Sequence, residues 1–535
     1  MRNPIFLAIS LYSCLLLFCF SCTGKIDHNY EKLEGSWIGT LEKEPFPELV
    51  SLYIDSALLV KMYYTGIDLH VAKSYNLNTP EITFEVDQPE LNGKFTGKLE
   101  GDEIKGNFNI GGKDFACNFF KIEPIGLGQI SEYVGFYQLE EDHIIQVNPF
   151  MLDFSLTPLS VLDFKTGKKR VAFPTSKNTF EAGEKMLAPY PKDFNLTFSK
   201  TEDNIKLSLE DNGKTLNGER LAGLPNPKDI VAENKGVELK GSLTLPQSEG
   251  PHPLVVFVHG GGNQTRENNS FADFSLLLPY YGIATLVYDK RGCGESTGEL
   301  QGASFEELAN DLKAVLERIS KEKSINQEKI GLLGIDQAGF IMPMAASKSD
   351  KVKFMVNISG SAKGIEDQEY QACALRMKAD GFSEDEINEA VEYQKKMFDF
   401  LRGKVDSVAF QLASDKMAGK SWSGYVTSFD KKEWINWWRV NYTCNPKDYL
   451  PNLKIPQLVI YGEKDLLVPP KENIPLMEKY LEGTHHSILE FKAANHLLLL
   501  GEKRGDVQFS EIEGYPENLF STINNWIGEQ TGLKK

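Results

Sequence analysis

Downstream of Pro225-Asn226-Pro227, which reads as a linker, short apolar runs alternate with stretches of helical spacing as far as the C-terminus. A strand buried on both faces shows as a continuous apolar run, and such runs separated by helical segments call for a parallel sheet covered by helices on both faces. The expected strands are Val237 to Leu245, Leu254 to Val258, Ile283 to Tyr288, Ile330 to Gly334, Phe354 to Ile358, Gln457 to Tyr461 and Ile488 to Phe491. Phe305 to Ser320, Phe340 to Ala346 and Leu519 to Ile527 carry the apolar spacing of helices. Residues 363–450 break this rhythm, being far longer than a loop and one crossover helix require. The segment looks helical and aromatic-rich, and an insertion at this point is either a lid over the strand ends or a helical subdomain.

At 535 residues the chain exceeds what a single core supports. Residues 23–125 are rich in aromatic and β-branched side chains with frequent turn residues, as in Val50-Ser51-Leu52-Tyr53-Ile54, and are read as an all-β domain. Residues 126–224 are read as a second, mainly β domain. It opens on Tyr133-Val134-Gly135-Phe136-Tyr137 and includes the alternating Ile205-Lys206-Leu207-Ser208-Leu209 before the turn Asp211-Asn212-Gly213. Residues 225–535 form the α/β domain, with its insertion at 363–450. The fold class is therefore α/β, preceded by two all-β domains.

Arg2 precedes an apolar stretch, Ile5 to Phe20, that is short for a membrane span and sits where a secretory signal sits. Its end, Phe18-Cys19-Phe20-Ser21-Cys22, resembles a bacterial lipoprotein signal. That resemblance implies a signal peptide over residues 1–22, a lipid on Cys22 and an exported, periplasmic or outer-membrane-associated protein held to the membrane by that anchor. Plain secretion is the alternative. The formal charge of -17, from 58 basic and 75 acidic residues, repels a phosphate backbone and argues against nucleic acid as a partner. Beyond the signal, Cys117, Cys293, Cys373 and Cys444 show no metal-ligand spacing, and Cys373 and Cys444 either pair or remain thiols. No nucleotide-binding glycine loop or metal cluster is visible, so no cofactor is required. Oligomeric state is left open.

The segment from Lys329 to Gly339 reads as a buried strand, a tight turn and a helix start, with Asp336 at the turn. A serine here would complete the Gly-x-Ser-x-Gly turn that presents a nucleophile at the top of a sheet. Upstream, the strand Leu254 to Val258 runs into His259-Gly260-Gly261-Gly262, where backbone N–H groups can approach a developing oxyanion. The stretch Tyr288-Asp289-Lys290-Arg291-Gly292-Cys293-Gly294-Glu295-Ser296 is read as a structural turn. Downstream, Asp465 lies in the loop after a buried strand and His496 follows the next one, giving the chain order nucleophile, acid, histidine.

These residues together resemble the α/β-hydrolase superfamily, in its exported esterase or serine-aminopeptidase-like branch, from about Asp229 to the C-terminus. The resemblance implies a small-molecule substrate or ligand, with Asp336 at the nucleophile position, Asp465 at the acid and His496 at the base. It assigns the oxyanion hole to Gly261 and the backbone N–H of Gln337. The chain departs from the pattern by Asp336 in place of serine and Ala338 in place of the turn's second glycine.

A carboxylate is already an anion near neutral pH and needs no base to activate it. It can attack an sp³ carbon that bears a leaving group, leaving an alkyl ester for water and His496 to cleave, as epoxide hydrolases and haloalkane dehalogenases of this fold do. Against an ester the same attack yields a high-energy mixed anhydride, so ordinary acyl transfer is expected to be impaired. Epoxide opening also calls for tyrosines in the insertion, where Tyr370, Tyr393, Tyr425 and Tyr442 are available. Three functions stay open: a hydrolase of esterase ancestry working through Asp336, an inactive homologue that binds a ligand, and a surface-binding protein that uses its β domains.

Overall fold

A computed structural model describes residues 32–533 except 44–46, 57–59, 65–66, 89–90, 151–157, 203, 268–271, 427–431 and 502–511. The signal segment 1–22 and the lipidation site Cys22 lie outside the described residues. Strands between Gly35 and Ile122 form a 9-stranded antiparallel sheet. Its strands bury alternate side chains, as in Glu81–Asp87, where Ile82, Phe84 and Val86 point inward. Phe84 stacks on Phe95 at 4.8 Å and meets Phe108 edge-on, so aromatic rings fill the space beneath the sheet.

Residues 135–220 close into an 8-stranded barrel. Its last hairpin turns at Asn212 and Gly213, both with positive φ, as a tight Asn-Gly turn requires. Tyr133 and Val134, expected to open a strand, instead end the helix Leu127–Tyr133, and the strand begins at Gly135. The helix buries Ile130 against the barrel core, and Tyr133 stacks on Phe198 at 4.4 Å, which gives its ring a partner that an edge strand would not.

The 8-stranded sheet beyond the linker runs Lys228–Asn234, Val237–Thr244, Ala284–Tyr288, His252–Val258, Ile325–Ile335, Phe354–Ile358, Gln457–Gly462 and His486–Phe491. The first two strands pair antiparallel, and from Ala284–Tyr288 onward neighbours are parallel. The expected strands are all present, and Lys228–Asn234, for which no strand was expected from the sequence, adds the edge. The central strands His252–Val258 and Phe354–Ile358 are buried along their whole length, which is why they read as unbroken apolar runs.

The barrel is tied to this sheet through aromatic packing. Phe164 meets Phe520 of the C-terminal helix Leu519–Thr531 edge-on at 4.9 Å, and Phe136 lies against Tyr280. Burying side chains of this size contributes about 1.5–3 kcal/mol each. Between the strands Phe354–Ile358 and Gln457–Gly462 the insertion supplies the helices Ile365–Ala379, Glu384–Leu401, Ser407–Met417 and Lys432–Asn441. Asn441, fully buried, fastens it down: its side-chain oxygen accepts the Phe305 N–H at 2.7 Å and its amide donates to the Ala303 carbonyl. Cys373 and Cys444 are not joined, and all four described cysteines are free thiols.

Candidate active site

The strand Ile325–Ile335 ends in a sharp turn at Asp336, whose φ is 54°, and the helix Ala338–Ala346 starts directly after it. Aspartate is among the few non-glycine residues that accept this left-handed backbone readily. The turn is tight because its neighbours are small. A Cβ at Gly334 would come within 2.4 Å of the Ala338 Cβ, and one at Gly339 within 2.7 Å of the Gly360 Cα. Gly334 thus makes room for the methyl of Ala338, and the departure from a second glycine is absorbed without opening the turn.

The Asp336 carboxylate is divided between two environments. Its Oδ2 accepts the Gly261 backbone N–H at 3.0 Å, and its Oδ1 lies 3.6 Å from His496 Nε2, longer than a hydrogen bond. The ring of His496 is held from behind, with Nδ1 donating to Asp465 Oδ2 at 2.8 Å. Asp465 is positioned by its other oxygen, which accepts the N–H groups of Leu467 and Val468 at 2.8 Å each. Burial alone would lower the pKa of His496, but the facing carboxylates of Asp465 and Asp336 outweigh it and raise the imidazole to about 10. Burial alone would likewise raise Asp336, yet His496 and the N–H groups of Gly261 and Gln337 leave its carboxyl below the ordinary value. In the resting state the site is a carboxylate, an imidazolium and a second carboxylate in a row.

All five residues assigned from the sequence, Asp336, Asp465, His496, Gly261 and Gln337, therefore meet at one corner of the sheet. The glycine string reaches Asp336 because Gly261 has no side chain: a Cβ there would sit 3.2 Å from Asp336 Oδ2. Two residues that sequence reasoning passed over belong to the same corner. Lys290, buried, donates to the carbonyls of Gly260 at 2.5 Å and Gly262 at 3.1 Å and to Gln337 Oε1 at 3.1 Å, which ties the glycine loop to the turn. Burial pushes its ammonium down to about 8, with Asp336 acting in the opposite direction. Glu369, from the insertion, lines the pocket in front of Asp336. Neither had a sequence signal of its own, since Lys290 lies inside the turn read as structural and Glu369 inside an acidic helix.

That turn is structural. Arg291 grips Asp311 through Nε at 2.6 Å and Nη2 at 2.8 Å, and Asp289 accepts the N–H groups of Arg266 and Glu295. The four tyrosines considered for epoxide opening are elsewhere. Tyr370 donates to Glu366, Tyr425 to Asp380 and Tyr393 pairs with Ser414, while Tyr442 packs on Phe398, and none of them lines the pocket. The pocket, of about 590 Å³, is walled by Phe305 and Phe340 from the sheet side and by Trp437 and Trp438 from the insertion. Among the described residues no cluster of His, Cys, Asp and Glu has the makings of a metal site.

Strand order, turn and residue order define an α/β-hydrolase-type domain with an acid at the nucleophile position. In agreement, residues 253–502 match the family described as alpha/beta hydrolase fold, which supports the α/β-hydrolase fold for this part of the chain. The chain is 24% identical to Esterase EstD of Thermotoga maritima over 352 residues, covering 62% of this chain and 78% of that protein. It is 29% identical over 108 residues to 2,6-dihydropseudooxynicotine hydrolase of Paenarthrobacter nicotinovorans, covering 19% of this chain and 27% of that one. The solved structure of Est1E from Butyrivibrio proteoclasticus with ferulic acid bound aligns over 57% of this chain and 100% of its own, at 16% identity and a TM-score of 0.37.

Proposed function

We propose that this protein is a hydrolase of esterase ancestry in which Asp336 attacks an sp³ carbon and forms an alkyl ester that His496 helps water to cleave. The observation that carries this reading is the split carboxylate, with Oδ2 against the Gly261 N–H and Oδ1 turned toward His496. Oδ2 occupies the place where the carbonyl oxygen of an ester substrate would be bound, so acyl transfer is blocked by the enzyme's own side chain. For an alkyl ester on Asp336 the same placement is productive. When Oδ1 has taken up the alkyl group, Oδ2 becomes the ester carbonyl oxygen, and water adding to Cγ puts negative charge on the atom that faces the Gly261 N–H.

Esterification also changes His496. It removes the Asp336 charge, one of the influences that hold the imidazole near 10, and favours loss of the proton so that the ring can accept one from water. Asp465 keeps the ring oriented throughout. The kinship with EstD, a protein named an esterase, supports descent from an esterase in which the attacking group has changed. A second reading, an inactive homologue that binds a ligand, is favoured by the 3.6 Å gap and by the proton that His496 holds at rest. The lipoprotein-type signal ending at Cys22 supports export to the cell envelope with the domains carried on a lipid anchor.

A single turnover in ¹⁸O water tests the chemistry on a panel of epoxides and alkyl halides. Water attacks Cγ in the ester route, so one label is expected in the Asp336 carboxylate and none in the product alcohol. Product carrying the label, with Asp336 unlabelled, would rule out the alkyl-enzyme, and ligand binding with no turnover at all would favour the second reading.

A further inference from the structure

The insertion places a second acid opposite the first. On the helix Ile365–Ala379, Glu366 is engaged by the Tyr370 hydroxyl and by Arg402, and Asp367 is exposed. Glu369 differs from both: it lines the same cavity as Asp336, and among the described residues no hydrogen bond or ion pair reaches its carboxyl. Beside it Gln368 also faces the cavity, with a buried side-chain oxygen that lacks a partner. Burial first, and the charge of Asp336 second, push the Glu369 carboxyl up to about 7, with Arg376 pulling the other way. At neutral pH a large share of the molecules therefore hold a proton on Glu369, across the cavity from an ionised Asp336.

Lys290 is not a rival proton donor, because its three N–H bonds are directed at Gly260, Gly262 and Gln337. Tyr370, Tyr393, Tyr425 and Tyr442 of the insertion face other partners, as described above, and among the described residues no tyrosine lines the cavity. We infer that Glu369 is the general acid of this pocket, delivering its proton to the oxygen that leaves as Asp336 attacks the neighbouring carbon. The substrate class is then a strained cyclic ether with an apolar or aromatic substituent, matched to the walls formed by Phe305, Phe340, Trp437 and Trp438. An alkyl halide would not use this group, since a halide departs as an anion and takes no proton. This inference rests on the alkyl-enzyme reading.

In the first step an Asp336 oxygen forms a bond to the epoxide carbon. The carbon–oxygen bond of the ring breaks, its electron pair stays on oxygen, and that oxygen takes the Glu369 proton, leaving a carboxylate on Glu369. In the second step water gives a proton to neutral His496 and adds to Cγ, and the alkyl oxygen departs with that proton. One epoxide and one water become one diol. The carboxylate is restored on Asp336; the proton its ionisation releases balances the one that returns to Glu369 through solvent, and the proton that His496 gave up to solvent after esterification returns to its ring.

The experiment uses the full chain in a His496→Gln background, where ester cleavage is disabled and the Asp336 adduct accumulates for mass analysis. Styrene oxide and 2-phenylethyl bromide serve as matched probes, with and without Glu369→Gln. Removing a general acid typically costs about 10²–10⁴-fold, so Glu369→Gln is expected to slow adduct formation from styrene oxide by that factor and leave the bromide rate unchanged. With Glu369 present, the styrene oxide rate should fall as pH rises through about 7, a limb that the bromide lacks. The groups facing Glu369 across the cavity, Asp336 and Lys290, and Arg376 on its own helix, are retained in every variant. Adducts from both probes at rates insensitive to Glu369→Gln would overturn this inference alone, and no Asp336 adduct from either probe would overturn the alkyl-enzyme reading together with it.

Discussion

Two carboxylates of the α/β domain, Asp311 and Asp336, both face a basic side chain and differ in nearly every other respect. Asp311 is 3% exposed, holds Arg291 through two short bonds and also accepts from Asn234. Asp336 is 34% exposed, stands 3.6 Å from its histidine and opens on a cavity. A charge that is removed from water and has its lone pairs taken up is fixed in place, and breaking the pair is costly. A charge left with one oxygen incompletely paired and in reach of a ligand can react. The difference separates an acid within the helix Phe305–Ile319 that holds the turn around Asp289 from one at the end of the strand Ile325–Ile335 that the proposed chemistry makes the nucleophile.

The sharpest way to break this contrast is to change the reactive acid. Asp336→Ser should lower turnover of alkyl substrates by about 10⁴-fold or more, the order of loss on removing a nucleophile. It should also vacate the oxyanion hole at Gly261, so hydrolysis of p-nitrophenyl acetate is expected to rise above that of the parent protein. A folded variant inert toward that ester would mean that the hole depends on the carboxylate and is not an independent site. The structural acid should behave in the opposite way. Arg291→Met strands a buried carboxylate and is expected to cost about 3–5 kcal/mol of stability, read from denaturant unfolding. If the loss is no more than that of an exposed pair, the distinction between the two acids fails.

A smaller effect lies in pH. The imidazole of His496 is raised from 6.5 to about 10 in the folded protein, so its contribution to stability is complete below pH 6.5 and is lost as pH rises toward 10. Asp336 is lowered from 3.8, so its contribution is present above that pH and fades as pH falls through the folded value. With serine at position 336, His496 keeps only one carboxylate neighbour, and the alkaline limb should move to lower pH. A ¹⁵N NMR titration of the His496 ring in both proteins measures that shift directly. An unmoved titration would mean that Asp465 alone sets the imidazole.

The parallel sheet was legible because strands such as His252–Val258 are buried on both faces and so carry an uninterrupted apolar signature. Lys228–Asn234 was not, since this edge strand buries only Ile230 and Ala232 between charged residues and resembles a linker. The helix Pro470–Tyr480 was hidden by Pro475 within it. In the site, Asp336, Asp465 and His496 stood out because each follows a core strand in the required order. Glu369 did not, as the run Glu366-Asp367-Gln368-Glu369 has the composition of a solvated helix face, and only the packing of the insertion turns one of its acids inward. Lys290 was masked for a related reason: its neighbours Asp289 and Arg291 carry the recognisable turn, while the role of the lysine depends on three acceptors distant in sequence.

The oxygen that Asp336 lodges against Gly261 also bears on how such a protein would be noticed at all. Fluorophosphonate reagents, which tag serine hydrolases by phosphonylating the attacking hydroxyl, would meet neither an alcohol nor a vacant cradle here. A survey that relies on them would pass over this chain, whereas, on the proposed chemistry, an electrophile with a saturated reactive carbon would be the reagent to bring it into view.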